Sequence, residues 1–278
     1  MKRARTKKIL ALGGMIILLM GLTTCEKEPT KPVAVAPDLP PVESLQADLS
    51  FFKLNSNSTL NKATLSKSNF FAAVFRVSAI NLTVLAASAV PTAVLTAALT
   101  QPAELKSDGK WHWIFHASEG PLTFSVDLAG WIDTQNGEAV WEAYISSNAH
   151  LPPLEHFLWF EGRAKISNKE GWWTFYDHQS PDSLIATLKV EWDLSDENDR
   201  ELTFTRVKVG CKNYGDYLKY GIELTDHFLI YYDASTNRTN TIYWNSETRA
   251  GYIEWFDYNN GQKSYWDEYF NDISGPPA

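Results

Sequence analysis

The stretch SLIATLKVEWDLSDENDRELTFTRVKVG, residues 183–210, decides the fold. Leu184, Ala186, Leu188, Val190 and Trp192 fall on one side of an extended chain. Thr187, Lys189, Glu191 and Asp193 fall on the other, because strand side chains alternate with a period of two. After the polar turn Asp196-Glu197-Asn198-Asp199 the alternation resumes, with Leu202, Phe204, Arg206 and Lys208 set against Thr203, Thr205, Val207 and Val209. Two strands with one dry face and one wet face, joined by a short turn, make an antiparallel hairpin.

The same pattern extends in both directions. Short aromatic and β-branched runs lie at Trp111–Ala117, Leu122–Trp131, Ala139–Ser146, Phe157–Ile166, Trp172–Asp177 and Ser183–Asp193. They continue at Glu201–Val209, Tyr217–Leu224, His227–Asp233, Asn240–Trp244, Gly251–Phe256 and Lys263–Tyr269. Asn136-Gly137 and Asn260-Gly261 are hairpin turn signals, since Asn and Gly tolerate the positive φ such turns need. No helix of crossover length separates the runs. The expected fold is mainly β (α+β): an antiparallel meander of about 10–12 strands over residues 111–270, which curls into a curved sheet or half-barrel.

Residues 68–101 read differently. Only Arg76 carries a charge between Asn69 and Thr100. Phe71, Val74, Phe75, Ser78, Leu82, Leu85 and Ala86 give a partly helical period, with Ser68 as N-cap and Pro91 either kinking the helix or dividing it into a helical hairpin. Residues 77–99 lack charges entirely, so a membrane span competes with a buried helix. Asn81, Thr83, Ser88, Pro91 and Thr92 favour burial, and a helix apolar nearly all round must be covered on most sides.

The amino terminus is an export signal. Lys2, Arg3, Arg5, Lys7 and Lys8 precede an apolar run from Ile9 to Met20, too short to span a bilayer, which takes roughly 20 residues. Leu22-Thr23-Thr24-Cys25 resembles the lipobox of bacterial lipoproteins, with Thr24 where Gly, Ala or Ser is usual. The resemblance implies cleavage of residues 1–24, acylation of Cys25 and a place in the cell envelope, anchored by lipid. Cys25-Glu26-Lys27-Glu28 is similar to the Cys-x-Lys-acid signal of Bacteroidetes-type surface lipoproteins and implies an outer-membrane, surface-exposed position. Residues 25–48 then serve as a tether, extended by Pro29, Pro32, Pro37, Pro40 and Pro41, and residues 49–278 as one domain. The overall plan resembles the half-barrel of outer-membrane lipoprotein carriers and receptors, in which helices cover a curved antiparallel sheet. That architecture does not carry a function with it.

Charge narrows the partners. Removing the signal leaves 20 basic and 33 acidic residues, a net charge of −13, which excludes nucleic acid and anionic membrane surfaces as electrostatic partners. Cys211 is left without a disulfide partner if Cys25 is acylated. No phosphate-cradling Gly-rich loop, Gly-x-Ser-x-Gly elbow or Cys-x-x-Cys occurs, so no cofactor is expected.

All 11 Trp and 12 Tyr lie between Trp111 and Tyr269. Aromatic rings fill sheets, but they also stack on sugar rings and line apolar pockets. Trp159, Trp172, Tyr176, Tyr231 and Tyr243 are the candidate ligand-binding residues, placed opposite the apolar rows. Glu191 and Asp193 share a strand face and are the only catalytic candidates. Their surroundings resemble the Glu-x-Asp-x-x-Glu strand of laminarinase-type glycosidases, with Glu197 one place late. His112 and His116 also share a face but lack a third metal ligand. Asp182-Ser183-Leu184 resembles a Bacteroidetes O-glycosylation site. The expectation is a non-catalytic envelope lipoprotein that binds a hydrophobic, lipid-like small molecule, with glycan binding through exposed Trp and Tyr as the alternative and glycoside hydrolysis as the least favoured.

Overall fold

The computed structural model describes residues 35–53 and 66–277, with the backbone alone over residues 81–87. Cys25, the signal segment and the start of the tether lie outside the described residues.

Fourteen strands follow one another in chain order in a single antiparallel sheet. They are β1 (Glu104–Leu105), β2 (Trp111–Glu119), β3 (Leu122–Asp133), β4 (Glu138–Ser147), β5 (Leu154–Lys165), β6 (Glu170–Tyr176) and β7 (Ala186–Asp193). The second half comprises β8 (Asp199–Arg206), β9 (Tyr217–Glu223), β10 (Asp226–Asp233), β11 (Arg238–Asn245), β12 (Gly251–Glu254), β13 (Ser264–Trp266) and β14 (Asp272–Ile273). The sheet does not close into a barrel: β1 and β14 are its two edges. Each edge is two residues long, which leaves little backbone free to pair with another chain.

The 183–210 stretch forms the β7–β8 hairpin, with Val190 opposite Phe204 and Trp192 opposite Leu202. Leu188, Val190, Trp192, Leu202 and Phe204 are buried, as the alternation requires. Leu184 departs from it and is 50% exposed, because its left-handed backbone (φ 43°) kinks the chain before the strand starts. Val207–Val209 also leave the sheet, since β8 ends at Arg206.

One face of the sheet is covered by α1 (Ser68–Ala98) and by two 3-10 turns, Val42–Leu45 and Ser50–Phe52. α1 is one continuous helix with Pro91 inside it, not a hairpin. It runs from β12–β14 across to β3. Phe70, Ala73, Val74 and Val77 are buried, and so are Ser88, Pro91, Thr92, Leu95 and Ala98. These recur every three or four residues, as one face of a helix must. The other face meets solvent, with Phe75 74%, Val90 44% and Leu99 59% exposed. Among the described side chains of α1 the cover lies along one stripe, against the sheet and the two 3-10 turns, which corrects the expectation of a helix wrapped on most sides. Among the described residues no helix is long and apolar enough to cross a membrane.

Ser68 is not the N-cap but the first helical residue. The helix start is capped from across the sheet: Asp272 of β14 accepts hydrogen bonds from the Ser68 and Asn69 backbone N–H groups at 3.1 and 2.9 Å. A carboxylate there satisfies otherwise orphaned donors and meets the positive end of the helix dipole.

Residues 36–48, expected to be part of a tether, belong to the compact unit. The compact unit begins at Ala36, and Leu45 is fully buried. Ser44 accepts the indole N–H of Trp173 at 3.1 Å. Pro37, Pro40 and Pro41 do not keep this segment from docking, because Leu39, Leu45, Leu49 and Phe52 have the sheet's apolar face to bury against.

Candidate functional site

α1 and the 3-10 turns pack on the apolar face, and along one flank of the helix a crevice stays open. There Ala79 and Ile80 stand opposite Leu188 of β7, Phe204 and Arg206 of β8, Leu218 of β9 and Tyr231 of β10. The crevice has a volume of about 300 Å³ and opens to solvent at the strand ends, where Asn213 and Asp216 of the β8–β9 loop form its lip. Alternation aims Leu188, Phe204, Leu218 and Tyr231 at the covered side.

Tyr231 is held rigidly. Its hydroxyl donates to Asp216 at 2.8 Å, and its ring lies parallel to Trp255 with centroids 6.1 Å apart. Burial, followed by the Asp216 carboxylate, pushes the phenol well above its ordinary pKa. Asp216 is 7% exposed and takes a second hydrogen bond from the Ala234 N–H at 2.9 Å. The Arg206 backbone is pinned on both sides, donating to the Asp216 carbonyl and accepting from Gly215, each at 2.9 Å. Its guanidinium has no hydrogen bond or ion pair among the described residues.

A second cavity, also about 300 Å³, shares Arg206 and Asn213 with the first. Its other walls are polar: Asp177, His178, Thr187, Lys208 and Cys211. Lys208 is paired with Asp177 at 2.6 Å, and this contact holds the Asp177 carboxyl below the usual range. Arg206 thus stands at the junction of an apolar chamber and a polar one. A trace of this was present in the sequence, where Arg206 continues the apolar row of Leu202 and Phe204 as a cation.

The opposite face of the sheet carries no helix among the described residues. It is a half-buried mosaic of aromatic rings and charges. Tyr243 stacks on Tyr252 (5.3 Å, 15°), Tyr217 on Tyr232 (5.0 Å, 21°) and Tyr144 on His156 (4.2 Å, 9°). The Lys110 ammonium lies 3.7 Å over the Trp131 ring. Glu142 and Glu161 face each other in register across β4 and β5. Glu142 accepts from Lys110 at 2.8 Å and Tyr144 at 3.1 Å, and Glu161 from Tyr176 at 2.7 Å. Burial and Glu142 push the Tyr144 phenol up to about 12.

The structure separates the five aromatic candidates. Trp172, between Arg163 and Glu191, and Tyr243 lie on this open face. Tyr176 presents its hydroxyl there but also packs on the core. Trp159 sits at the β4–β5 register shift and packs on the core beside Phe160. Tyr231 lies on the covered side with Leu229, inside the crevice. A bulge breaks the period of two, so alternation alone misplaces the residue that occupies it.

Glu191 takes the Lys189 ammonium at 2.7 Å. Asp193 accepts the backbone N–H and the hydroxyl of Ser195 at 3.0 and 2.5 Å, which hold its carboxyl below the usual range. Asp193 therefore closes the β7–β8 turn, whereas a general acid in glycoside hydrolysis needs a raised pKa. His112 is clamped by Asp127 at 2.6 Å and Asp108 at 3.1 Å, away from His116, which lines an open hollow at the far end of β2 and β3. Among the described residues no group of three or more His, Cys, Asp or Glu is placed to hold a metal ion. Asp182, Ser183 and Leu184 lie on an exposed turn. No protein-family model, curated protein or solved structure matches the chain.

Proposed function

We propose that this chain is a non-catalytic envelope lipoprotein, anchored through acylated Cys25, that binds a hydrophobic, lipid-like small molecule between α1 and β7–β10. The observation that carries the reading is the crevice itself. It is an apolar hollow left open beside Ile80, Leu188, Phe204 and Leu218. Its volume of about 300 Å³ falls at the lower end of small-ligand sites. A saturable signal from an environment-sensitive apolar dye, displaced by dodecanol, is expected from the purified full chain. Ala79→Trp, at the exposed mouth, should abolish it while leaving the circular dichroism spectrum unchanged. Undiminished dye binding in that variant defeats the proposal. An unmodified Cys25 in mass spectrometry of the envelope fraction defeats the anchor.

A second reading is favoured by the open face, where Trp172 and the Tyr243–Tyr252 pair lie among carboxylates and hydroxyls on a broad surface. Such a surface suits a glycan chain, whose C–H faces stack on rings while its hydroxyls meet polar neighbours. A glycan array without signal, or a signal unaffected by Trp172→Ala together with Tyr243→Ala, removes this reading.

A further inference from the structure

We infer that the crevice selects an amphipathic ligand with a single apolar chain and an anionic oxygen head, a carboxylate or a phosphate ester, and that Arg206 receives the head. The inference rests on the hydrophobic-ligand reading above and adds what that reading leaves open, the chemistry of the polar end.

Three observations converge on Arg206. It lies at the mouth of the apolar crevice and also forms a wall of the polar cavity next to it. An acyl chain lying against Leu188, Phe204 and Leu218 would bring its head group to this junction. The backbone on either side is fixed by two hydrogen bonds at 2.9 Å, so the side chain departs from a rigid point. Its neighbours are committed, and it is not. Lys208 is spent on Asp177, and Asp216 is occupied by Tyr231 and Ala234. The Arg206 guanidinium has no such partner among the described residues.

A half-buried guanidinium bears a cost of desolvation that an oxyanion would offset, because its planar fork matches carboxylate and phosphate oxygens in pairs. Asp216 and Asp177 oppose an anion at longer range, and each oxygen of both already accepts one hydrogen bond. Asn213, shared by both cavities, adds an amide donor at the same junction. An uncharged alkyl alcohol would use the apolar wall and leave Arg206 unpaired.

The test compares dodecanoate, dodecyl phosphate and dodecanol, each by calorimetry on the purified full chain, with acetate and inorganic phosphate as head groups without a chain. Both anionic amphiphiles should bind at least about tenfold tighter than dodecanol, the ratio set by one charge-assisted contact. Each methylene removed from the chain should weaken binding about fourfold. Arg206→Ala should erase the preference for the anion, so that dodecanoate and dodecanol bind alike, with an unchanged circular dichroism spectrum showing that the variant is folded. Arg206→Lys should restore part of the preference, and Lys208→Ala should change little. Equal affinities for dodecanoate and dodecanol, or a preference that survives Arg206→Ala, overturn the head-group assignment while the hydrophobic-ligand reading stands. Comparable binding of acetate or phosphate alone overturns it in favour of a free-anion site. If no alkyl probe binds, both readings fall together.

Discussion

Replacing Gly162 with alanine should be among the most damaging single-methyl changes in this protein. Gly162 lies in β5, in register with Trp141 on one side and Trp173 on the other. A Cβ there would sit 2.2 Å from Trp173 Cε3, 2.6 Å from Cζ3 and 2.7 Å from the Trp172 carbonyl oxygen. Carbon atoms in contact rest at about 3.5–4.0 Å, so the indole would have to retreat by more than about 1 Å. It has nowhere to go. Trp173 is fully buried, packed edge-on against Phe160 at 5.6 Å and stacked on Trp192 at 5.4 Å. Its N–H is tied to Ser44 at 3.1 Å, and the second obstruction is backbone in a strand ladder. Overpacking of this kind costs about 1–3 kcal/mol, and an indole torn from Ser44 adds about 1–3 kcal/mol for a buried unpaired donor. Urea unfolding followed by far-UV circular dichroism should therefore report a loss of about 2–6 kcal/mol, and thermal unfolding a fall of roughly 4–24 °C for a domain of this size. Gly275→Ala is the control, because its Cβ would meet nothing within 4 Å. A Gly162→Ala protein within about 0.5 kcal/mol of its parent, a difference typical of surface changes, would refute the claim that close approach of Trp173 excludes a side chain here.

Three further expectations follow from the packing. Asp272→Ala should cost about 1 kcal/mol, the usual value of an N-cap, and Asp272→Asn clearly less; equal losses in denaturant titrations would show that the carboxylate does not cap α1. Ser44→Ala should cost about 1–3 kcal/mol by stranding the Trp173 N–H, and a neutral result would mean that the 42–45 turn is not anchored by this bond. His227 stacks on Trp244 at 5.2 Å, and burial holds its pKa down against the opposing pull of Asp48 and Asp226. The unfolded chain then takes up the proton first. The contribution of His227 is complete above the ordinary histidine pKa of about 6.5 and is lost as pH falls through the lower folded value. His227→Gln should flatten the decline of the urea midpoint between about pH 7 and pH 5. Parallel profiles would exclude burial of the neutral imidazole as a source of acid sensitivity.

The β-sheet was legible in the sequence because its signal is local. A period of two needs only five or six residues to declare itself, as Leu188, Val190 and Trp192 do against Lys189, Glu191 and Asp193. Short polar turns then leave consecutive strands no partner but each other. The two edge strands escaped this reading because two residues cannot show a period. α1 was legible as a helix but not as a sided one. Ala, Val, Leu and Thr occupy all its faces, so nothing in its composition distinguishes Val77 and Leu95, which are buried, from Phe75 and Leu99, which are exposed.

The candidate site was legible only in part. Tyr231 was singled out as an aromatic of an open face, and the fold places it instead in the crevice, where Asp216 holds it. Arg206 was visible as a cation on an apolar row, but its lack of a partner is a property of everything around it.

The sequence by itself therefore determined the class of fold and the order of the strands, and the inward face of strands that alternate as clearly as β7, because these follow from spacings of two to four residues. Tertiary structure alone decided which side of α1 is dry, where the chain before residue 49 joins the core, and where the apolar face stays open. Those outcomes depend on pairs such as Ser68 with Asp272, Ser44 with Trp173 and Ile80 with Tyr231, which are remote along the chain and become neighbours only when the sheet has formed.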